Sequence, residues 1–166
     1  MGRISNTIAL AKVSWKVLRK DRELLLLPVL SFLASILVLT LLWLPTLSAI
    51  DTSGLADEGG DPGAVLIVVG VISAMAMSII SVFFNGALVA GAHERLSGGD
   101  PTVRSALGRA LSRLSGLLPW AIITGTVGLI LQAVRERAGW MGRFVVNMVG
   151  MAWQTATFLV VPAIVI

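Results

Sequence analysis

The chain has 166 residues, 56% hydrophobic and 13% charged, with a formal net charge of +4 and no cysteine. Globular chains average about 45–50% and about 25% on the same scales, which argues against a water-soluble domain. The missing cysteines exclude a disulfide framework, a thiolate-bound metal and a cysteine nucleophile.

The distribution of charge is more informative than its average. No Asp, Glu, Lys or Arg occurs in 24–50, 62–92, 114–134 or 144–166. Each run reaches the roughly 18 residues expected of a transmembrane helix. A soluble helix keeps a polar face, and these runs have none.

In chain order, residues 4–20 (ISNTIALAKVSWKVLRK) place Ile4, Ile8, Ala11, Trp15 and Leu18 at helical spacing. Lys12, Lys16, Arg19 and Lys20 form a basic stripe beside them. The pattern predicts an amphipathic helix on the bilayer surface or, with equal weight, a basic collar that orients the first span. Position 6 is Asn, so the start misses the myristoylation pattern. The first apolar run is too long for a cleavable signal, whose core is roughly 7–15 residues.

Span one is predicted at 24–48, where 16 of 25 residues are Leu, Ile, Val or Phe. The loop at 49–62 holds three aspartates and one glutamate, without the D-x-[DN]-x-[DN]-G spacing of a calcium loop. Span two is predicted within 63–92.

The next segment, HERLSGGDPTVRSALGRALSRLSGLLPW (93–120), predicts a second amphipathic helix over 101–115, with Asp100 as its N-cap and Pro101 in first position. Val103, Ala106, Leu107, Ala110, Leu111 and Leu114 share one face. Arg109 and Arg113 lie opposite and Arg104 at the boundary, suited to anionic lipid head groups. A nucleic-acid reading needs base-reading or stacking groups beside the basic face, and only Trp120, at the start of the next span, is near. The lone His93 has no Ser or Cys nucleophile at a recognised spacing, so it reads as a surface or capping residue before a catalytic base.

Span three is predicted at 117–134. After a tight turn at 135–143, span four follows at 144–166, kinked by Pro162. The N-terminal segment carries six Lys or Arg, the loop at 49–62 none, 93–116 four and 135–143 three. With the N-terminus inside, ten bases are cytoplasmic; the reverse leaves three, so the expected orientation is N-in. Trp15 and Trp120 then fall at the inner interface, Trp43 and Trp140 at the outer, and Trp153 mid-span. An amphipathic helix followed by two spans occurs twice, as weakly similar parallel repeats.

No charged residue is expected at membrane depth, which counts against proton-coupled carriers and aspartyl proteases. Lysine occurs only up to Lys20, which excludes a P-loop. The polar side chains singled out at depth are Asn85, Gln132, Asn147 and Gln154; Gln132 and Asn147 share a depth and predict a hydrogen bond across the turn. They read as glue between helices, with a solute path as the alternative. Pairs of small residues four apart (Ala87 and Gly91, Ala121 and Gly125, Thr124 and Gly128, Ala152 and Ala156) predict close helix approach.

The stretches WKVLRKDRELLLLPVLSFL, FFNGALVAGAHERLSGGDPTVRSAL and AWQTATFLVVPAIVI resemble a family of uncharacterised bacterial multi-pass membrane proteins, known only as a domain of unknown function. The resemblance covers nearly the whole chain and carries no catalytic residues. Family members continue past the position of Ile166 into further spans, so it implies a partial sequence or a C-terminus at the inner interface.

The expectation is therefore an all-α integral membrane helical bundle, one membrane domain over 1–166, with four transmembrane and two interfacial helices in the cell membrane. A non-enzymatic assembly or lipid-interacting component is expected, with part of a permease for a small neutral or amphiphilic solute as the alternative, and a lipid-directed enzyme third. The expected partners are membrane lipids, anionic ones foremost, and another copy or membrane subunit, with no nucleic acid, cofactor or metal.

Overall fold

The computed structural model describes residues 22–53 and 62–166, and all regular structure there is helical. Six helices run α1 (Arg22–Ser53), α2 (Pro62–Leu96), α3 (Val103–Ser112), α4 (Leu114–Arg137), α5 (Trp140–Thr157) and α6 (Val160–Val165). Four stretches are long and apolar enough to cross a membrane: Leu24–Ile50, Gly63–Leu96, Leu114–Arg137 and Trp140–Val165. They contain the spans expected at 24–48, 63–92 and 117–134, and all but the last residue of the one expected at 144–166. The amphipathic helix expected at 4–20, with Lys12, Lys16, Arg19 and Lys20, lies outside the described residues.

Helix α2 is the axis of the bundle. Its 35 residues span about 52 Å at about 1.5 Å each, and α1, α3, α4 and α6 all pack on it. Small residues make this possible. A Cβ on Gly86 would lie 3.0 Å from Leu117, and one on Gly91 would lie 2.5 Å from Leu24 and 3.5 Å from the Ala106 Cβ. Leu27, Val82, Ala87, Ala90, Ala106, Ala110, Leu117, Ala121 and Val165 form the buried cluster, gathered towards the α2–α3 end.

Hydroxyls tie the helices together elsewhere. The Ser78 hydroxyl of α2 donates to the Ala121 carbonyl of α4 at 2.7 Å and lies 3.0 Å from the Thr124 hydroxyl. The Trp43 indole N–H of α1 donates to the Ser73 hydroxyl of α2 at 3.0 Å. Trp43 therefore turns towards α2. Trp153, the expected mid-span exception, stacks on Trp120 with ring centroids 6.3 Å apart.

The GGDP break has a defined geometry. Gly98 adopts φ +85°. Its N–H donates to the Arg95 carbonyl and that of Gly99 to the Glu94 carbonyl. This is the Schellman ending, in which a left-handed glycine ties off the last carbonyls of a helix.

Helix α3 starts two residues later than expected, and its N-cap is Thr102, not Asp100. The Thr102 hydroxyl accepts from the Ser105 N–H and the Ser105 hydroxyl accepts from the Thr102 N–H, completing a capping box. Asp100 is turned away, 3.0 Å from the Arg95 guanidinium. Pro101 precedes the helix and is buried. The face expected to rest on lipid is instead largely covered by α2, with Ala106 and Ala110 fully buried.

The kink expected in the fourth span appears as a two-residue interruption at Phe158 and Leu159, both of which keep right-handed helical dihedrals. Helix α5 ends at Thr157 and α6 begins at Val160. Pro162 lacks the N–H that would reach the Phe158 carbonyl, so the ladder fails four residues before it. The break lets α6 lean back, with Val165 against Gly86 and Ile164 against Gly116.

Candidate functional site at the α2–α3 end

Sequence, capping and packing converge where α2 ends, α3 docks and α4 begins. The Schellman turn and the Thr102 cap hold the loop between α2 and α3. Glu94, on the last turn of α2, accepts a hydrogen bond from the Ser105 hydroxyl at 3.1 Å and faces the Arg109 guanidinium at 3.5 Å. It fixes the azimuth of α3 and carries the ionic link between the two helices.

Of the arginines expected to meet lipid, all three are exposed, and they differ in their neighbours. Arg109 is shared with Glu94. Arg104 and Arg113 make no ion pair among the described residues. Arg113 sits at the junction, where its backbone N–H meets the carbonyls of Ala110 and Leu111 at the end of α3. It also precedes α4, whose first N–H groups have no side-chain cap.

A cavity of about 260 Å³ opens at this junction, lined by Ala90, His93, Arg109, Ser112, Arg113, Val165 and Ile166. Its floor is apolar, with Ala90 and Val165 buried. Its rim carries an imidazole, two guanidiniums and a hydroxyl. Arg104 does not line it. The sequence reading grouped Arg104, Arg109 and Arg113, and treated His93 separately. The missing signal was the return of α6 to this end, which closes one side of the cavity.

The intramembrane amides do not gather. Asn85, Gln132, Asn147 and Gln154 are all exposed. The Gln132 amide donates to Glu136, one turn along α4, at 3.2 Å, and not to Asn147 across the turn. A second cavity of about 220 Å³ lies between α1 and α2, lined by Leu27, Pro28, Ser31, Ser81, Phe84, Asn85 and Leu88. Ser73 and Ser78, which sequence reasoning passed over, supply the polar ties between helices. The pair Ala121 and Gly125 pointed to the Ser78 contact, because both lie against α2 and are buried.

No curated protein and no solved structure matches the chain. A model of the Family of unknown function (DUF6159) matches residues 64–166, from the start of α2 through α6 and so across every residue lining the basic cavity; the chain belongs to that family.

Proposed function

We propose that the protein is a non-enzymatic component of a membrane assembly in the cell membrane that engages anionic lipid through its α2–α3 end. In this reading the N-terminus and the α2–α3 loop face the cytoplasm, and Lys12, Lys16, Arg19 and Lys20 add to the same basic surface. The observation that supports it is the exposure of Arg104, Arg109 and Arg113 on a helix anchored to α2 through its other face. Guanidiniums held at the end of a hydrophobic bundle meet head-group phosphates, at about 1 kcal/mol per residue near an anionic surface.

The test uses the full chain in nanodiscs of phosphatidylcholine with and without phosphatidylglycerol. Replacing Arg104, Arg109 and Arg113 together by Gln should reduce selective retention of the anionic lipid by about tenfold or more. Unchanged retention overturns the proposal.

A solute path is the second reading, favoured by the polar cavity of Ser31, Ser81 and Asn85 on α1 and α2. It requires Asn85→Leu to alter solute flux in proteoliposomes while lipid retention stays unchanged.

A further inference from the structure

Resting on the reading of this end as a surface that faces anions, we infer that the junction cavity is a discrete site for one phosphate group, held by His93, Arg109 and Arg113. The phosphate belongs to a lipid head group or to a small soluble phosphate ester; the chemistry is shared.

Charge is the first argument. Besides the apolar Ala90, Val165 and Ile166, the lining holds two guanidiniums, an imidazole and a hydroxyl. Of the nearby acids, Asp100 is paired with Arg95, while Glu94 faces Arg109 at 3.5 Å and offsets one of the two guanidiniums. Arg113 is left with no ion pair among the described residues. A planar guanidinium presents a fork of donors that matches two oxygens of a phosphate. An imidazole N–H suits a remaining oxygen, while the Ser112 hydroxyl donates to the Arg109 carbonyl at 2.7 Å.

Size and lining narrow the ligand. About 260 Å³ is room for roughly nine waters at about 30 Å³ each, enough for a phosphate and a short ester stem. No Phe, Tyr or Trp lines the cavity, so it lacks the large rings on which bases stack. The buried Ala90 and Val165 offer the stem an apolar floor.

Arg104 supplies the control, because it belongs to the basic face and not to the cavity. Binding is measured with the full chain in phosphatidylcholine nanodiscs, probed with phosphatidylglycerol in the bilayer or glycerol 3-phosphate in solution. Arg113→Gln should weaken binding about tenfold, the loss of a charge-assisted hydrogen bond, and by clearly more than Arg104→Gln, which removes one charge of the diffuse basic face. His93→Asn repeats the test should Arg113→Gln fail to fold. Displacement of phosphatidylglycerol by glycerol 3-phosphate supports the site and assigns it a soluble ester. Sensitivity to Arg113 without displacement supports it and assigns it a lipid. Equal losses from Arg104→Gln and Arg113→Gln overturn the discrete site and leave the diffuse lipid surface standing. No loss in the triple Gln variant overturns both.

Discussion

Gly125 and Gly128 lie within one turn of each other on α4 and meet opposite surroundings. A Cβ on Gly125 would come 2.8 Å from the Met75 sulfur and 3.1 Å from the Ser78 Cβ, whereas one on Gly128 meets nothing within 4 Å. Gly125→Leu should therefore lower stability in detergent by about 1–3 kcal/mol, the cost of overpacking a fitted contact. Gly128→Ala should be neutral or stabilising by up to about 1 kcal/mol. Thermal unfolding followed by circular dichroism separates the two, and equal effects would deny that Gly125 is the point of approach. The Ser78–Thr124 pair gives a second residue-scale outcome: a double-mutant cycle with Ser78→Ala and Thr124→Val should return a coupling near 0.6 kcal/mol, about the average for polar contacts between membrane helices. The sequence showed these residues at depth but could not show which way they face. In a span apolar on every side, the hydrophobic pattern leaves the azimuth undefined. That is why the large amides, expected as glue, lie on the outside while two serines take the role.

At the scale of elements, the loop between α2 and α3 tests how a cap is chosen. Asp100 and Thr102 are both good N-cap residues, and Pro101 is a good first helical residue. The sequence alone therefore favoured Asp100. Two features decide for Thr102: Ser105, three residues on, closes the capping box, and Arg95 draws the Asp100 carboxylate away. Thr102→Ala should cost about 1 kcal/mol. Asp100→Ala should cost less than about 0.5 kcal/mol, because its side chain is 90% exposed and its ion pair is screened. Gly98→Ala meets no steric obstacle, so its expected loss of about 1–2 kcal/mol is purely the strain of a left-handed backbone. Chemical unfolding of the three variants ranks them, and a larger loss from Asp100→Ala than from Thr102→Ala would reverse the assignment. The existence of α3 was legible, because its apolar residues recur at helical spacing beside arginines. Its docking on α2 was not, since the same apolar face suits lipid or protein. The choice lies in Ala87, Ala90 and Gly91, small enough to admit Ala106 and Ala110.

For the whole molecule, the balance of burial argues for lipid. Only 6% of the most apolar window of the first span, and 17% of that of the third, is buried inside the protein. Phe32, Leu41, Leu44, Ile67 and Phe144 are each more than 60% exposed. In water that surface would drive aggregation; in a bilayer it is the solvent contact. This much was written in the charge-free runs, because length and the absence of charge suffice to make four helices able to cross a membrane. Threading of the four spans then has a parity that can be tested. The chain has no native cysteine, so single cysteines report sidedness without background. Asp57→Cys, between the first two spans, and Ser97→Cys, after the second, should be labelled by a membrane-impermeant maleimide from opposite faces of sealed vesicles. Gly139→Cys, between α4 and α5, should label from the same face as Asp57→Cys. The N-in orientation predicts that both of these are external, since ten of the thirteen Lys and Arg then stay inside. Arg135, Arg137 and Arg143 oppose it, so neutralising them should sharpen the orientation, whereas neutralising Lys12, Lys16, Arg19 and Lys20 should mix it. If Asp57→Cys and Ser97→Cys are labelled from one face, α2 does not cross, and the helix on which α1, α3, α4 and α6 pack loses its place in the membrane.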